Sequence, residues 1–125
     1  MAAYGLHEPD DVVYDAIRAS TSDVDAIAQH TGLKPENIRR VKNHIFHEQH
    51  LLDRYAALGV EPEWKRFDSH AGIAEAWKRL ERGTFTDADL QLLRHETAEA
   101  WYMRRYGPGY DAAHVAAQRR FPSPF

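Results

Sequence analysis

Proline and glycine divide this chain into segments, and most segments repeat apolar residues at helical spacing. Gly32 and Pro35 separate two short helices, and the tripeptide at 107–109 separates two longer ones. Glycine ends helices readily and proline fits the first helical turn, so each break suits its place. The spacing of apolar residues between the breaks is that of amphipathic helices. The sequence therefore predicts an all-α fold, a compact multi-helix domain without strands.

Capping residues and apolar spacing set the expected helix bounds. We predict helices over residues 10–19, 22–30, 35–49, 71–82, 87–106 and 110–120. Ser69 is the expected cap of the fourth helix, and Thr86 with Asp89 resembles a capping box that begins the fifth. Residues 53–68 are the least regular part because Gly59 and Pro62 interrupt any helix there.

Length and composition place the chain among ordinary globular proteins. Its 125 residues suit a single domain over 1–125, with 43% hydrophobic and 28% charged residues and a net charge of −3. The charge alone does not demand nucleic acid or membrane as a partner. The absence of cysteine excludes disulfides, thiolate metal sites and a cysteine nucleophile. No apolar run reaches the roughly 20 residues of a membrane span, and the acidic N-terminus lacks a signal-peptide core.

The first half, residues 10–50, resembles a tri-helical helix-turn-helix unit. Within residues 24–42, Ala28 is small where two helices would approach, Gly32 lies at the turn, and apolar residues follow in the next helix. That helix has a local excess of positive charge suited to phosphates. The candidate nucleic-acid-binding residues are Lys34, Arg39, Arg40 and Lys42.

The second half, residues 69–120, carries the candidate metal site. His95, Glu96 and Glu99 follow one another on the predicted fifth helix and resemble the His-Glu-x-x-His zinc motif of metallopeptidases, with Glu99 in place of the second histidine. The resemblance implies His95 and Glu99 as ligands of a divalent metal, zinc above all, and Glu96 as general base. His114 is the best-placed third ligand, because the helices on either side of the 107–109 break would form a hairpin. Further candidate ligands are His44 and His47.

A purely structural interpretation fits many of the same residues. His95 and Glu99 would bond to each other or to Arg104, and Arg66 with Asp68 would form a buried ion pair that fixes the irregular segment. Trp77 and Trp101 would belong to the core. His50 would lie at a solvated helix end, where the helix dipole favours a charged histidine.

Short motifs spread over residues 40–120 resemble small helical effector domains at the C-terminal ends of bacterial polymorphic toxins and phage-associated proteins. They are VKNHIFHEQHLL, RFD, IAEAWKRL, DLQLLRHETAE and AAH. The resemblance implies a toxin domain delivered as part of a longer secreted chain, action in the bacterial cytoplasm and a cognate immunity protein as partner. It implies a role for His44, Arg66, Asp68, His95, Glu96, Glu99 and His114, with Glu96, Arg66 and Asp68 as the catalytic candidates.

The sequence leaves three functions open. The first is a metal-dependent hydrolase, with a nuclease slightly favoured over a peptidase because the basic helix could hold a phosphate backbone. The second is a non-enzymatic helix-turn-helix regulator that binds DNA. The third is a protein-interaction module without chemistry, in which the histidines are structural or sense pH.

Overall fold

The computed structural model describes residues 9–125, and these form six α-helices. They are α1 (Pro9–Ala19), α2 (Asp23–Thr31), α3 (Pro35–Lys42), α4 (Ala71–Arg82), α5 (Asp87–Tyr106) and α6 (Tyr110–Arg120). The predicted all-α fold is confirmed, and five of the six helices match their expected bounds to within a residue or two. The first eight residues, which include most of the acidic N-terminal stretch, lie outside the described part.

The end of the third helix differs from the prediction. Regular α-helix ends at Lys42, one π-helical turn follows over Asn43–His47, and Glu48 is extended. The predicted helix to residue 49 is therefore two residues too long and misses the π turn. A π turn carries one extra residue per turn and is frequent at functional sites.

The expectation of an all-helical chain without strands is wrong for two short segments. Strands β1 (His50–Leu52) and β2 (Glu63–Lys65) pair antiparallel, with His50 opposite Lys65 and Leu52 opposite Glu63. Leu51 also forms an isolated bridge with Gly109. This small sheet brings the chain back against the beginning of α6, which the sequence pattern did not indicate.

Capping follows the prediction at one helix and departs from it at another. Thr86 and Asp89 form the predicted capping box at the start of α5. Helix α4 instead begins after His70, whose Nδ1 accepts a hydrogen bond from the Ile73 amide at 3.3 Å. Ser69 is therefore not the cap. Gly32, Gly83 and Gly107 end their helices with positive φ, which glycine adopts without steric cost.

One apolar core joins α1 to α5. Its largest members are fully buried aromatic and branched side chains, including Tyr14, Ile27, Ile38, Phe46, Trp77 and Leu80. Helix α6 packs along α5 through the small buried residues Ala113 and Ala117, which allow the two helices to approach closely. Helix α5 therefore lies between the main core and α6, and its polar inner face is enclosed on both sides.

Candidate metal centre

Glu99 lies at the middle of a group of five buried or half-buried titratable side chains, which we call the His/Glu centre. Its Oε1 accepts a hydrogen bond from His44 Nε2 at 2.8 Å. Its Oε2 lies 3.2 Å from His95 Nε2 and 3.1 Å from His114 Nδ1. The members of the centre are His44, His95, Glu96, Glu99 and His114.

Glu96 completes the centre in a different way. Its residue is 7% exposed, and its Oε2 lies 3.3 Å from His44 Nε2. The single proton on that nitrogen already points to Glu99, however, and Glu96 Oε2 is a buried polar atom without a hydrogen-bond partner among the described residues. A buried carboxylate oxygen without a hydrogen bond is rare and calls for an explanation, even with the His44 ring 3.3 Å away.

Three chain segments position the centre. On α5, the spacing of four residues places His95 and Glu99 on one face. His114 comes from α6, whose first turn is fixed where Asp53 Oδ1 accepts the Asp111 amide at 2.9 Å. His44 comes from the π turn after α3, which leaves it 1% exposed.

Hydrogen bonds outside the centre orient its histidines. His95 Nδ1 donates to the Phe121 carbonyl at 2.8 Å, so its Nε2 is directed at Glu99. Tyr110 Oη lies 3.2 Å from His114 Nδ1, one turn away on α6. A backbone carbonyl that fixes the remote ring nitrogen is the usual support of a metal-binding histidine. Nε2 of His95 is therefore held toward Glu99.

Contacts within the centre favour the ionised forms of His44, His95 and Glu99. Burial disfavours a charged His44 ring, but contacts with Glu96 and Glu99 outweigh it and raise its pKa to about 9. Burial likewise opposes ionisation of Glu99, yet bonds from His114, His44 and His95 hold its pKa well below the usual range. For His95 the bond to Glu99 and the charge of Glu96 overcome burial and raise the pKa. Glu99 is thus a carboxylate surrounded by donors.

The centre forms part of the wall of a large cavity. The cavity has a volume of about 680 Å³ and is lined by His95, Glu96 and His114 together with aromatic and charged side chains of the irregular segment. Phe67 and Tyr110 stand edge to face at its rim, with ring centroids 5.0 Å apart. A group of small-molecule size could therefore reach the polar atoms of the centre.

The spacing of the polar atoms fits a metal ion. An ion bound tetrahedrally at about 2.0–2.1 Å holds its ligand atoms roughly 3.3 Å apart. Glu99 Oε2 lies 3.2 Å from His95 Nε2 and 3.1 Å from His114 Nδ1, and the three ligand atoms all lie within 4.8 Å of one another. Two imidazole nitrogens and a carboxylate oxygen are ligands that zinc accepts.

The structure brings four of the five predicted metal ligands together and leaves the fifth outside the centre. His44, His95, Glu99 and His114 belong to the centre, whereas His47 is exposed and belongs to none of the ligand groups found among the described residues. His50, which we expected at a solvated helix end, is 4% exposed and stacks on Phe67. The prediction for His50 is wrong because β1 turns the chain back toward the core.

The predicted basic surface survives in part. Lys34, Arg39 and Arg40 are exposed on or beside α3. Lys42 is 3% exposed, and its Nζ donates to Asp23 Oδ1 at 2.9 Å and to the Ser20 carbonyl at 2.9 Å. The proposed phosphate contact of Lys42 is therefore wrong. Lys42 lies four residues after Ile38, on the inward face of the helix.

The structural interpretation of the irregular segment is also corrected. Arg66 and Asp68 are both exposed, and Asp68 pairs with Lys65 at 3.1 Å, so the expected buried ion pair between them does not form. Asp68 lines the large cavity, but neither residue joins the ligand groups of the centre. Their catalytic role stays a prediction.

Of the two tryptophans predicted to belong to the core, only one is buried, and of the two proposed partners of His95, only one bonds to it. Trp77 is fully buried as predicted, whereas Trp101 is 52% exposed, so its assignment to the core is wrong. The predicted bond between His95 and Glu99 is confirmed at 3.2 Å. Arg104, the alternative partner, is exposed and hydrogen-bonds to neither of them.

Sequence reasoning missed Tyr110 and Phe67 as neighbours of the centre. Tyr110 had a signal, since it lies four residues before His114 on one helix face. Phe67 had none, because its position depends on the fold of the irregular segment.

The chain matches no protein-family model, no curated protein and no solved structure. No described helix is long and apolar enough to cross a membrane.

Proposed function

We propose that this protein is a metal-dependent hydrolase whose ion is held by His95, Glu99 and His114. Two imidazoles and one carboxylate are the ligand set of several hydrolytic zinc sites, and three protein ligands leave a position open for water or substrate. The ion would lower the pKa of its bound water and polarise the bond to be cleaved. Zn²⁺ is the best candidate for this set of ligands.

The observation that carries the proposal is the unpaired oxygen of Glu96. The oxygen is buried 3.3 Å from His44 Nε2 and has no hydrogen-bond partner among the described residues, and Glu96 also lines the cavity. A carboxylate oxygen to which no side chain donates can accept a hydrogen bond from a water molecule beside it. We therefore assign Glu96 as the general base that takes the proton from the attacking water.

As substrate class we favour nucleic acid over peptide. Lys34, Arg39 and Arg40 are exposed, and α3 continues without a break into the turn that carries His44. A phosphate backbone on this basic helix would run beside the segment that leads to the centre. In this proposal the protein acts as a bacterial toxin domain in the cytoplasm of a target cell, and its natural partner is a cognate immunity protein.

The metal is tested on protein purified without an affinity tag or chelator. We expect at least one equivalent of zinc or another transition metal tightly held in the wild type, and one equivalent less in the His95→Ala variant. The His47→Ala variant removes a histidine outside the centre and serves as the matched control. Metal content unaffected by His95→Ala would contradict the proposal.

Activity is tested on RNA, single-stranded and double-stranded DNA, and an unstructured protein substrate. For Glu96→Gln we expect a loss of about 10²–10⁴ in rate, which is the usual size of a general-base contribution. Glu75→Gln, which changes an exposed glutamate on α4, should retain full activity. Circular dichroism shows whether each variant is folded. Equal activity of the two glutamine variants would exclude Glu96 as the base.

A second candidate function is DNA binding by α2 and α3 without chemistry. It is supported by the Gly32 turn between the two helices and by the exposed Arg39 and Arg40. In that case Arg39→Ala with Arg40→Ala abolishes binding to duplex DNA, His95→Ala has little effect, and affinity falls steeply with salt. Affinity that is insensitive to salt would exclude this function.

A further inference from the structure

A second group of possible ligands shares His44 with the His/Glu centre. Ligand atoms of His44, Glu48 and His50 lie within 4.8 Å of one another. The three residues line a separate cavity of about 260 Å³, which we call the outer cavity. None of the metal ligands proposed above on α5 and α6 lines it.

Both histidines of this group have one ring nitrogen fixed by an outer partner. His44 Nε2 donates to Glu99 Oε1 at 2.8 Å, and His50 Nε2 donates to the His44 carbonyl at 2.8 Å. The Nδ1 atoms of both rings hydrogen-bond to no other described residue. A carboxylate or backbone carbonyl on one ring nitrogen, with the other nitrogen free, is the arrangement that supports metal-binding histidines.

The local fold holds the two rings in place. His44 and His50 are 1% and 4% exposed, and their ring centroids lie 4.6 Å apart. Phe67 stacks on His50 at 4.4 Å, and the π turn places His44 against the start of β1. Little side-chain entropy is therefore left to lose when an ion binds. Glu48 is exposed at the mouth of the outer cavity and brings the negative charge.

We propose that His44, Glu48 and His50 form a second metal site that takes a borderline transition metal ion such as Zn²⁺ through the two Nδ1 atoms and the Glu48 carboxylate. Nitrogen-rich sites with one carboxylate select such ions over Mg²⁺ and Ca²⁺. Binding would release any proton that His44 Nδ1 carries in the metal-free ring. The ion would join the π turn to β1 and leave at least one position open to solvent.

Zinc stoichiometry and affinity test the site, measured by equilibrium dialysis of the full chain against Zn²⁺ with a competing chelator. We expect two Zn²⁺ per chain in the wild type and one in His50→Ala. In Glu48→Gln we expect the second Zn²⁺ to bind at least about tenfold more weakly. His47→Ala, which removes the exposed neighbour, should still bind two. Circular dichroism establishes that each variant is folded.

The second site is separated from the proposed hydrolytic one by the His95→Ala variant. If His95→Ala binds one Zn²⁺ and His95→Ala/His50→Ala binds none, both sites are supported. If His95→Ala has no effect while His50→Ala removes an ion, the outer site stands and the proposed function fails. If His50→Ala and Glu48→Gln bind Zn²⁺ like the wild type, the outer site is overturned and the proposed function is unaffected.

Discussion

Two groups of buried charged side chains among the described residues are built differently. In the first, Asp23 of α2 accepts hydrogen bonds from Lys42 on Oδ1 at 2.9 Å and from Trp77 Nε1 on Oδ2 at 3.0 Å. Lys42 also donates to a backbone carbonyl. In the second group, the His/Glu centre, Glu99 is shared by three histidines and Glu96 keeps an unpaired oxygen.

The difference is the one expected between a structural group of buried charges and one that serves a function. Each charged atom of the Asp23 group has its partners, and none of its members lines the cavity at the centre. A closed network of this kind fixes the arrangement of helices, although its net contribution to stability is modest. The centre keeps one buried oxygen without a hydrogen bond and has three of its members in the wall of a cavity, which is the arrangement expected of a site for a ligand.

The largest expected effect comes from breaking the closed group. Asp23→Ala leaves the Lys42 ammonium and the Trp77 N–H buried without their acceptor, so we expect the free energy of unfolding to fall by about 3–5 kcal/mol. Asp25→Ala, an exposed position on the same helix, should change it by less than about 0.5 kcal/mol. Denaturant unfolding measures both. Similar values for the two variants would remove the distinction drawn here.

Loading the centre with metal should have the next largest effect. Zn²⁺ that binds only the folded chain, at 100 times its Kd, raises the free energy of unfolding by about 2.7 kcal/mol. EDTA should reverse the gain, and His114→Ala should lose most of it. Thermal unfolding with and without Zn²⁺ measures the effect. A melting temperature that changes with neither Zn²⁺ nor EDTA would show that the centre, like the Asp23 group, is only structural.

A third buried carboxylate extends the comparison. Asp89 accepts both Arg79 Nε and Nη2 at 2.8 Å. Burial opposes its ionisation, but the bonds from Arg79 and Thr86 outweigh burial and lower its pKa. We expect Asp89→Asn to reduce the free energy of unfolding by about 1–3 kcal/mol at neutral pH.

The pH dependence of the Asp89 effect follows from the direction of its pKa shift. Because the folded-state pKa is lowered, the contribution is complete above the ordinary value of about 4 and is lost as the pH falls through the lowered value. The difference in the free energy of unfolding between the wild type and Asp89→Asn should therefore become smaller in acid. Unfolding titrations at several pH values measure it, and a difference that grows in acid would contradict the assignment.

The smallest expected effect concerns Glu96. Its Oε2 has no hydrogen bond to lose, but its charge lies 3.3 Å from His44 Nε2 and helps to raise the pKa of that ring. Glu96→Gln should therefore reduce the free energy of unfolding by only about 1 kcal/mol or less. The same variant is expected to lose most of its activity. A loss of stability as large as that of Asp23→Ala would show that Glu96 is a structural group.

Local sequence signals predicted the helices well because caps and breaks act within a few residues. The Thr86–Asp89 capping box and the tripeptide at 107–109 define α5 from the sequence alone. The polar side chains that meet between α5 and α6 were predicted for the same reason, since a helix and a short break fix which faces meet. His95, Glu99 and His114 thus follow from spacing.

Long-range chain reversals account for the errors. The burial of His50 depends on the pairing of β1 with β2 and on the bridge to Gly109, and residues 53–68 carry no periodicity that predicts either. Lys42 was predicted from its charge to be exposed, although its spacing of four residues from Ile38 places it on the inward face of α3. Trp101 was misassigned in the opposite sense, since its apolar ring faces away from the core.

The position of Glu99 also bears on how the chain folds. Its partners His44 and His114 lie 55 positions earlier and 15 positions later in the sequence. The centre is therefore complete only after these distant segments have come together. Contacts of such separation form late because the loop between them must be closed first. An ion at this site would consequently bind the fully folded chain and not a partly folded one. It would therefore slow the unfolding of the chain.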